Sequence, residues 1–360
     1  MSESLLGTYL YSAEPTHLAE ALYPHARQPR AKVAVANASL PDTSRRKGGF
    51  TIEHFLRWFR PYRRLERSHA RLLLELQEER ERNGTNARYP VGHFYSPLPS
   101  RAEIAAAFSR PEPSAGFSAL ELDEARQLRL LESFVGYYGD QPFSEDRAPD
   151  RRYYFSNPSY GPFDALMLYS MMRHARPRRI IEIGSGFSSA AMLDVNDLGL
   201  SGNVAFTFID PDMTRLRLLL REEDRSRCTL IERPVQTVPL GIFAGLEAGD
   251  ILFVDSSHVA KVGSDVNRIF FRVLPVLAAG VLIHFHDITA NFEYPRDWLE
   301  EGRAWNEQYL LRAFLMYNPA FRVELFPTWL RENHRAWFRT HLPLCDRGGG
   351  GQIWLRKMLP

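Results

Sequence analysis

Two short segments of the sequence end in residues that could carry chemistry. The segment ILFVDSSH places Asp255 after an apolar run, and His258 follows three residues later. The segment VLIHFHDI places His286 and Asp287 at the end of a second apolar run. A histidine or an aspartate can act as a general base if its pKa lies near the working pH. Carboxylate and imidazole groups are also ligands for divalent metals, and both can serve only to hydrogen-bond within loops.

These two segments belong to a regular alternation of strands and helices that begins near Arg179. Five strand-like runs (RIIEIG, VAFTFID, CTLIERP, GDILFVDSSH and GVLIHFHDI) alternate with helical patterns, and FRVELFP and GGGGQIWLRK follow as two more. Such alternation predicts a Rossmann-like α/β fold with a doubly wound, mostly parallel sheet of seven strands. Ligands bind beyond the carboxyl ends of the strands in such sheets, so we expect the four polar residues at one edge, facing one cavity.

The first strand is followed by a glycine turn in the segment IIEIGSGFSS. Gly184 and Gly186 permit a tight turn and a close approach of the backbone to a ligand, although Ser189 replaces the third glycine of the dinucleotide fingerprint. The second strand ends at Asp210, where an acid can accept hydrogen bonds from both hydroxyl groups of a ribose. The turn and the acid together predict a cofactor of the adenosine type. The alternative role for Asp210 is a helix N-cap in the turn IDPDM, and the two roles can coexist.

His284 lies on the same side of the predicted fifth strand as His286, one pleat deeper. We expect it to be a buried histidine that hydrogen-bonds to the backbone or to a neighbouring acid. In that position it would support a ligand residue by orienting it.

The first 150 residues differ from the rest of the chain in composition and in hydrophobic pattern. They are rich in proline, arginine and aromatic residues, and leucines recur at helical spacing between residues 65 and 76. Arginine alternates with glutamate there, which favours a solvated amphipathic helix over a phosphate-binding one. We therefore expect residues 1–150 to form a mainly helical and irregular N-terminal cap, and residues 151–360 to form the core.

The composition argues against several classes of protein. The chain has 360 residues, of which 44% are hydrophobic and 24% charged, as in ordinary globular proteins. A formal net charge of +2 argues against a general nucleic-acid binder. Two distant cysteines fit a reducing compartment, and the sequence shows neither a signal peptide nor a run of about 18 apolar residues. We expect a cytoplasmic protein that binds neither nucleic acid nor membrane, and homo-oligomer formation stays open.

The motifs together resemble a known superfamily. IIEIGSGFSS, FTFIDPD, ILFVDSSH and VLIHFHDI, in this order and closed by GGGQIWLRK, are similar to the class I S-adenosylmethionine-dependent methyltransferases. The blocks GHFYSPLPS, YYFSNPSYGPFDALMLYSMM and EYPRDWLEEGRAWNEQYLLRAFLMYN resemble a bacterial group of small-molecule methyltransferases with an N-terminal extension. The resemblance implies an enzyme that uses S-adenosylmethionine, releases S-adenosylhomocysteine and methylates a small molecule. Oxygen is the expected acceptor atom, and nitrogen or carbon stays an alternative.

The resemblance also implies which residues bind the cofactor. Residues of the glycine turn would line its methionine end, Asp210 would hold its ribose, and Gln236 would lie beside its adenine. The complete set is Glu182, Gly184, Ser185, Gly186, Ser188, Asp210, Pro211, Gln236 and Asp255.

Some catechol-type methyltransferases hold a divalent metal with acids at the ends of the fourth and fifth strands. By resemblance, Asp255, His286 and Asp287 would be ligands of Mg²⁺, Mn²⁺ or Fe²⁺, with His258 as a further catalytic residue. A metal there would bind the acceptor hydroxyl, lower its pKa and orient it. A metal-free general base and a mainly structural role are the alternatives that stay open.

Aromatic residues are expected to form the acceptor pocket, although they could equally pack the N-terminal region onto the core. The residues concerned are Phe94, Tyr95, Tyr160, Tyr294, Trp298 and Trp305. Two other functions stay as alternatives. The absent third glycine counts against a nucleotide-dependent oxidoreductase, and the near-neutral charge counts against a module that binds nucleic acid or a protein partner.

Overall fold

The computed structural model describes residues 60–82, 89, 91–109, 117 and 119–359. The described residues divide into two compact units, one that contains those from 107 onward and another that contains those up to 106. Residues 107–150, which the sequence placed in the N-terminal cap, thus belong to the unit that contains the sheet. The physical reason is that Leu131 and Phe134 are buried in the main hydrophobic core.

The described helices of the smaller unit confirm that the N-terminal region is helical. They are α1 (Arg60–Arg82) and the first part of α2 (Arg101–Ser109), which extends across the boundary between the units. The leucines of α1 between residues 65 and 76 are exposed, as are the charged residues between them. The polar segment that precedes α1 lies outside the described residues.

Seven strands of the larger unit form one sheet, and each coincides with a strand-like run of the sequence. They are β1 (Arg179–Ile183), β2 (Ala205–Ile209), β3 (Cys228–Ile231), β4 (Ile251–Val254), β5 (Leu282–His286), β6 (Phe321–Leu325) and β7 (Gln352–Lys357). Their order is β3-β2-β1-β4-β5-β7-β6, with β7 antiparallel to both neighbours and all other pairs parallel. The predicted Rossmann-like, mostly parallel sheet of seven strands is confirmed.

Helices connect the strands of this sheet. Larger helices precede β1 and link β1 to β2, and shorter ones fill the remaining connections. In chain order the α-helices are α3 (Glu124–Tyr138), α4 (Pro162–Ala175), α5 (Phe187–Gly199), α6 (Thr214–Leu219), α7 (Asp224–Arg227), α8 (Leu240–Ala244), α9 (Asp265–Arg268), α10 (Leu274–Val276), α11 (Arg296–Glu300), α12 (Glu307–Leu315), α13 (Pro327–Asn333) and α14 (Arg335–His341). A π-helical turn, Ile269–Val273, joins α9 to α10, and Val235–Thr237 and Pro343–Asp346 are 3₁₀ turns.

The sheet separates two hydrophobic cores, because successive strand residues point to opposite faces. Along β4, Phe253 belongs to the core that contains α3, α4 and α5, whereas Leu252 and Val254 belong to the core on the other face. Every residue of β4 and β5 is buried. Central strands covered on both faces expose only their ends, so polar residues just after them are the ones that a ligand can reach.

A buried ion network ties the segment before α4 to two helices, α5 and α7. The guanidinium group of Arg152 donates twice to Asp224 at 2.6 Å and once each to Asp194 and Asp197, at 2.8 and 2.9 Å. The side chains of Arg152, Asp194 and Asp224 are all buried. Because a buried charge is stable only when it is paired, this network holds α5 and α7 against the segment that leads into α4.

Among the described residues, no helix has the length and apolar character to cross a membrane.

Candidate active site

The glycine turn after β1 lies against the end of β4. Ile183 pairs with Val254 in the sheet, so Gly184 and Asp255 leave it at the same level. Gly184 has a φ of 86°, and a Cβ on it would lie only 1.7 Å from the backbone oxygen of Asp255. Only glycine fits there, because it alone has no Cβ and adopts this backbone conformation without strain. The tight glycine turn predicted after the first strand is present, with its backbone close to that of Asp255.

Asp210 stabilises this turn from the end of β2. Its Oδ2 accepts a hydrogen bond from the backbone N–H of Ser185 at 2.8 Å, and its Oδ1 accepts one from that of Asp212 at 2.8 Å. Asp210 is therefore not a helix N-cap, because α6 begins at Thr214 with Met213 at its N-cap position, and its carboxylate stabilises the two turns instead. Burial raises the pKa of Asp210, and these two hydrogen bonds offset part of that rise.

Glu182 lies deeper, within β1, and is fully buried. Its carboxyl group accepts hydrogen bonds from Ser188 Oγ, at 2.6 Å, and from Ser189 Oγ, both in the first turn of α5. Burial raises the pKa of Glu182 to about 8, although both hydroxyl groups act in the opposite direction. Glu182 and Ser188 thus hydrogen-bond to each other, an arrangement that holds α5 against β1.

A cavity of about 460 Å³ opens beside the turn. Five of the predicted cofactor residues line it, and these are Gly184, Asp210, Pro211, Gln236 and Asp255. The side-chain amide of Gln236 donates to the backbone oxygen of Gly263 at 2.9 Å, which joins the two loops at its rim. A groove of similar size, about 480 Å³, lies elsewhere, next to Leu120, Leu315 and Phe321, and contains none of the predicted site residues.

A polar cluster lies at the ends of β4 and β5, beside this cavity. His258 Nε2 lies 3.4 Å from Asp255 Oδ1 and 3.5 Å from Asp287 Oδ2. One ligand atom from each of these three residues lies within 4.8 Å of the others, close enough to hold one ion. His258 and Asp287 both have a left-handed backbone, with φ of 59° and 55°. Such conformations are uncommon outside glycine and cluster at functional sites.

His286, the predicted histidine ligand, lies outside this group of three. Its Nε2 is 3.8 Å from Asp287 Oδ1, and its Nδ1 is buried without a hydrogen-bond partner in the described chain. Its ring packs against Tyr160, with the centroids 5.2 Å apart. The left-handed turn at Asp287 ends the strand's alternation of side chains. The structure therefore groups both aspartates with His258 rather than with His286.

The charges of the cluster are mutually compensating. Burial would lower the pKa of His258, but hydrogen bonds to Asp255 and Glu307 raise it well above its usual value. Burial would raise the pKa of Asp255, but the neighbouring charges of His286 and His258 hold it below its usual value. Three carboxylates around one imidazole make a site that attracts a cation, either a proton on the ring or a metal ion.

Glu307 is a site residue to which the sequence assigned no role. It is the first residue of α12, is almost completely buried, and its Oε2 lies 2.9 Å from His258 Nδ1. An acid in the first turn of a helix is so common that it carries no functional signal. Only the folded chain brings this carboxylate to a histidine 49 positions earlier.

Asp164 is a second buried acid that the sequence did not single out. It lies in the first turn of α4, and its Oδ1 accepts a hydrogen bond from Gln352 Nε2 at 2.9 Å. Burial raises its pKa to about 6. A Cβ on Gly350 would lie 2.2 Å from Asp164 Oδ2, so the glycine run before β7 permits that close approach.

The aromatic residues after β5 form one cluster beside His258. Trp305 packs against the ring of His258, with the centroids 4.4 Å apart, and Trp298 and Tyr294 contact Trp305 at 5.2 and 6.0 Å. Arg303 lies over the face of Trp298 at 4.6 Å. Trp305 thus places these aromatic residues beside the polar cluster, and their role in acceptor binding stays a prediction.

Of the other three residues predicted to contact the acceptor, Tyr160 is buried in the core and packs against His286. Phe94 and Tyr95 belong to the smaller unit. Their rings lie 4.3 Å apart and both side chains are exposed. Their predicted role in acceptor binding stays a prediction.

His284 supports the site by packing. Its ring stacks on Phe253 with the centroids 3.9 Å apart and lies edge-on to Trp354 at 4.7 Å. Neither ring nitrogen has a hydrogen-bond partner in the part of the chain that the structure describes, so the expected hydrogen bond to the backbone or an acid is wrong. The physical reason is that the rings of Phe253 and Trp354 surround His284 on this face of the sheet. Burial lowers the pKa of His284 well below its usual value.

Comparison with known proteins identifies sequence relatives. The profile of a family described as a methyltransferase domain matches residues 181–288, which run from β1 to the end of β5. A protein of Archaeoglobus fulgidus, described only as uncharacterized, is 34% identical over 169 residues, which are 44% of this chain and 74% of the relative.

Several solved structures are also similar. The methyltransferase PaMTH1 of Podospora anserina, bound to SAH, is 18% identical and matches over 72% of this chain and 97% of its own, with a TM-score of 0.38. The O-methyltransferase TomG of Streptomyces achromogenes, involved in tomaymycin synthesis and in complex with SAM, is 14% identical over 67% and 92%, with a TM-score of 0.36. A cmcI structure with Mg and SAM is 18% identical over 55% and 72%, with a TM-score of 0.33.

Proposed function

We propose that this chain, which belongs to the class I S-adenosylmethionine-dependent methyltransferases, methylates a hydroxyl oxygen of a small molecule with the help of a divalent metal. The methyltransferase domain and the sheet with its antiparallel seventh strand are the basis for the enzyme class. The observation that carries the metal-assisted mechanism is the approach of Asp255, His258 and Asp287 to within 4.8 Å of one another at two adjacent strand ends.

The cavity beside the glycine turn suits the cofactor in size and polarity. Its volume of about 460 Å³ lies in the usual range for small-molecule sites. Ser256 lines this cavity, and its Oγ is buried without a hydrogen-bond partner among the described residues, so a polar group of a ligand could satisfy it. Each carboxylate oxygen of Asp210 still has a free lone pair to accept from a ribose hydroxyl. In this proposal Gln236 lies beside the adenine.

The donor set of the polar cluster suits a first-row divalent metal. Two carboxylates and one imidazole are good ligands for Mn²⁺, Fe²⁺, Co²⁺ or Zn²⁺, whereas Mg²⁺ prefers oxygen ligands only. When bound, such an ion supplies a positive charge that lowers the pKa of an acceptor hydroxyl. Asp255, His258 and Asp287 would hold it, and His286 lies close enough to Asp287 to stabilise that carboxylate.

The aromatic cluster would position the acceptor. Trp305 lies directly against His258, so a flat ring packed on the tryptophans would bring its hydroxyl group toward the two aspartates. Methyl transfer depends on the alignment of the donor methyl and the acceptor oxygen and on exclusion of water more than on a special side chain. Trp298, Trp305 and Tyr294 supply an apolar surface for that purpose.

The metal-free alternative makes His258 a general base. The carboxylates of Asp255 and Glu307 count against this role, because they raise the pKa of His258 and favour a protonated ring near neutral pH. A protonated ring cannot accept a proton from the acceptor.

The test measures methyl transfer from labelled S-adenosylmethionine to a panel of phenols and catechols before and after chelation. Chelation should abolish transfer, Mn²⁺ should restore it, and Asp255→Asn and Asp287→Asn should lose it in every metal. Asp140→Asn, which removes an exposed carboxylate distant in sequence from Asp255 and Asp287, is the matched control and should behave as the wild type. Full turnover in chelator by protein that retains no metal would refute the metal and leave methyl transfer standing.

A further inference from the structure

The buried carboxylate of Glu307 contacts His258 on the side of the ring that faces away from the two aspartates. Its Oε2 lies 2.9 Å from His258 Nδ1, on the opposite side of the ring from Asp255 and Asp287. Its other oxygen, Oε1, is buried and has no hydrogen-bond partner within the described residues. A carboxylate is desolvated in this way only where its charge is compensated. Its hydrogen-bond contact is His258.

The N-terminus of α12 holds the backbone of His258 as well as its ring. The backbone N–H groups of Asn306 and Glu307 both donate to the carbonyl oxygen of His258, at 3.0 and 3.1 Å. The side chain of Asn306 accepts from the backbone N–H of Ala260 at 2.6 Å and donates to its carbonyl oxygen at 3.3 Å. Trp305 packs on the face of the ring. The loop and the imidazole are therefore held together in the left-handed conformation of His258.

The position of Glu307 selects which ring nitrogen faces the aspartates. A carboxylate can only accept, so the proton of the neutral ring lies on Nδ1, and the lone pair of Nε2 points toward Asp255 and Asp287. A carboxylate that accepts from the far nitrogen of a metal-bound histidine fixes its tautomer and raises its basicity. Glu307 is not one of the three residues whose ligand atoms converge, so it acts through His258 rather than on the ion.

We propose that Glu307 is a positioning residue that makes His258 Nε2 a metal ligand and thereby favours metals that bind imidazole well over Mg²⁺. This inference rests on the proposed metal site. It assigns the metal preference of the site to a residue outside the ligand set. It also explains why a carboxylate is buried at the start of α12.

The test is a double-mutant cycle on the affinity for Mn²⁺, measured by electron paramagnetic resonance on the full chain with S-adenosylhomocysteine present. Glu307→Gln and His258→Ala should each weaken Mn²⁺ binding about 10- to 100-fold. The double variant should bind no more weakly than His258→Ala alone, because Glu307 acts only through that ring. Glu222→Gln, which removes an exposed carboxylate, is the matched control and should leave the affinity unchanged.

Competition between Co²⁺ and Mg²⁺ gives a second readout that a purely structural role would not change. Glu307→Gln should lose affinity for Co²⁺ and retain that for Mg²⁺. An unchanged affinity for S-adenosylhomocysteine shows that the variants are folded. Should Glu307→Gln not fold, Glu307→Asp, which keeps the charge but is shorter by one methylene group, should show the same loss.

The outcomes separate this inference from the function on which it rests. A wild type that binds no Mn²⁺ would overturn both the metal site and the role of Glu307. Wild-type binding that Glu307→Gln leaves unchanged would overturn the role of Glu307 alone. Losses that add in the double variant would do the same, because Glu307 would then act on the ion independently of His258.

Discussion

Replacement of Gly184 by alanine tests whether the close approach of the β1 and β4 ends builds the site. The added Cβ would lie 1.7 Å from the backbone oxygen of Asp255 and 2.7 Å from its carbonyl carbon. A tolerable contact requires at least 3.0 Å, so the two strand ends must separate. Asp255 follows β4 directly, and its carboxylate would move with its carbonyl group. The cavity wall and the polar cluster would shift together.

The size of the effect follows from these distances. A left-handed backbone costs an alanine about 1–2 kcal/mol, and relief of the overlap adds to that cost. We therefore expect the free energy of unfolding to fall by at least about 2 kcal/mol. Because a misplacement of about 1 Å at reacting groups can cost about 100-fold in rate, we expect kcat/KM to fall by about that factor. Affinity for S-adenosylhomocysteine should fall as well.

Two further glycine variants separate the causes. Gly249 has nearly the same φ, 88°, but a Cβ on it would meet nothing within 4 Å. Gly249→Ala should therefore cost only the backbone strain and leave cofactor affinity unchanged. Gly136, exposed in α3, also has open space, and alanine there should stabilise the helix by up to about 1 kcal/mol.

The assays are urea unfolding, calorimetric binding of S-adenosylhomocysteine, and methyl transfer. The reasoning is refuted if Gly184→Ala matches Gly249→Ala in stability and in cofactor affinity. The overlap with Asp255 would then have no consequence, and the shared edge of the two strands would not shape the site.

Three other changes test the buried charges by urea unfolding. Burial raises the pKa of Glu182 to about 8 from 4.5. The wild type should therefore lose stability relative to Glu182→Gln as the pH rises from 4.5 to about 8, by up to about 1.4 kcal/mol per pH unit. Curves of unfolding free energy against pH that run parallel for the two proteins would contradict this. Burial lowers the pKa of His284 below 6.5, so stability should fall as the pH drops below that value, and less so in His284→Phe. Equal acid sensitivity would show that this ring is protonated in the fold. Arg152→Met leaves Asp194 and Asp224 buried without a counter-charge and should lower the free energy of unfolding by about 3–5 kcal/mol. A decrease below about 1 kcal/mol would mean that the two carboxyl groups are neutral in the folded protein.

The strands of the sheet were predictable because their signal is local. Each is a short apolar run between helical patterns, and central parallel strands are buried on both faces, as β4 and β5 are. Their polar ends were predictable for the same reason, since a charged or histidine residue after such a run lies at the edge of the sheet. Asp255 and Asp287 therefore emerge from the sequence as a pair.

The choice of histidine was not predictable from strand periodicity. Alternation along β5 makes His286 the obvious partner of Asp287. In the structure, left-handed turns at His258 and Asp287 bring those two side chains together instead. The turn at His258 is held by hydrogen bonds from Asn306 and Glu307, which are far away in the sequence. A local pattern carries no information about such a contact.

The sequence by itself determined which residue types stand at the strand ends and that a glycine must follow β1. These depend on period-two alternation and on backbone conformation, which act over a few residues. Tertiary structure alone decided that His258 and not His286 joins the two aspartates, that Glu307 stands behind it, and that His284 is held by aromatic stacking. Those outcomes depend on how a helix start and two loops pack on the sheet, and that packing is an energetic balance over the whole chain.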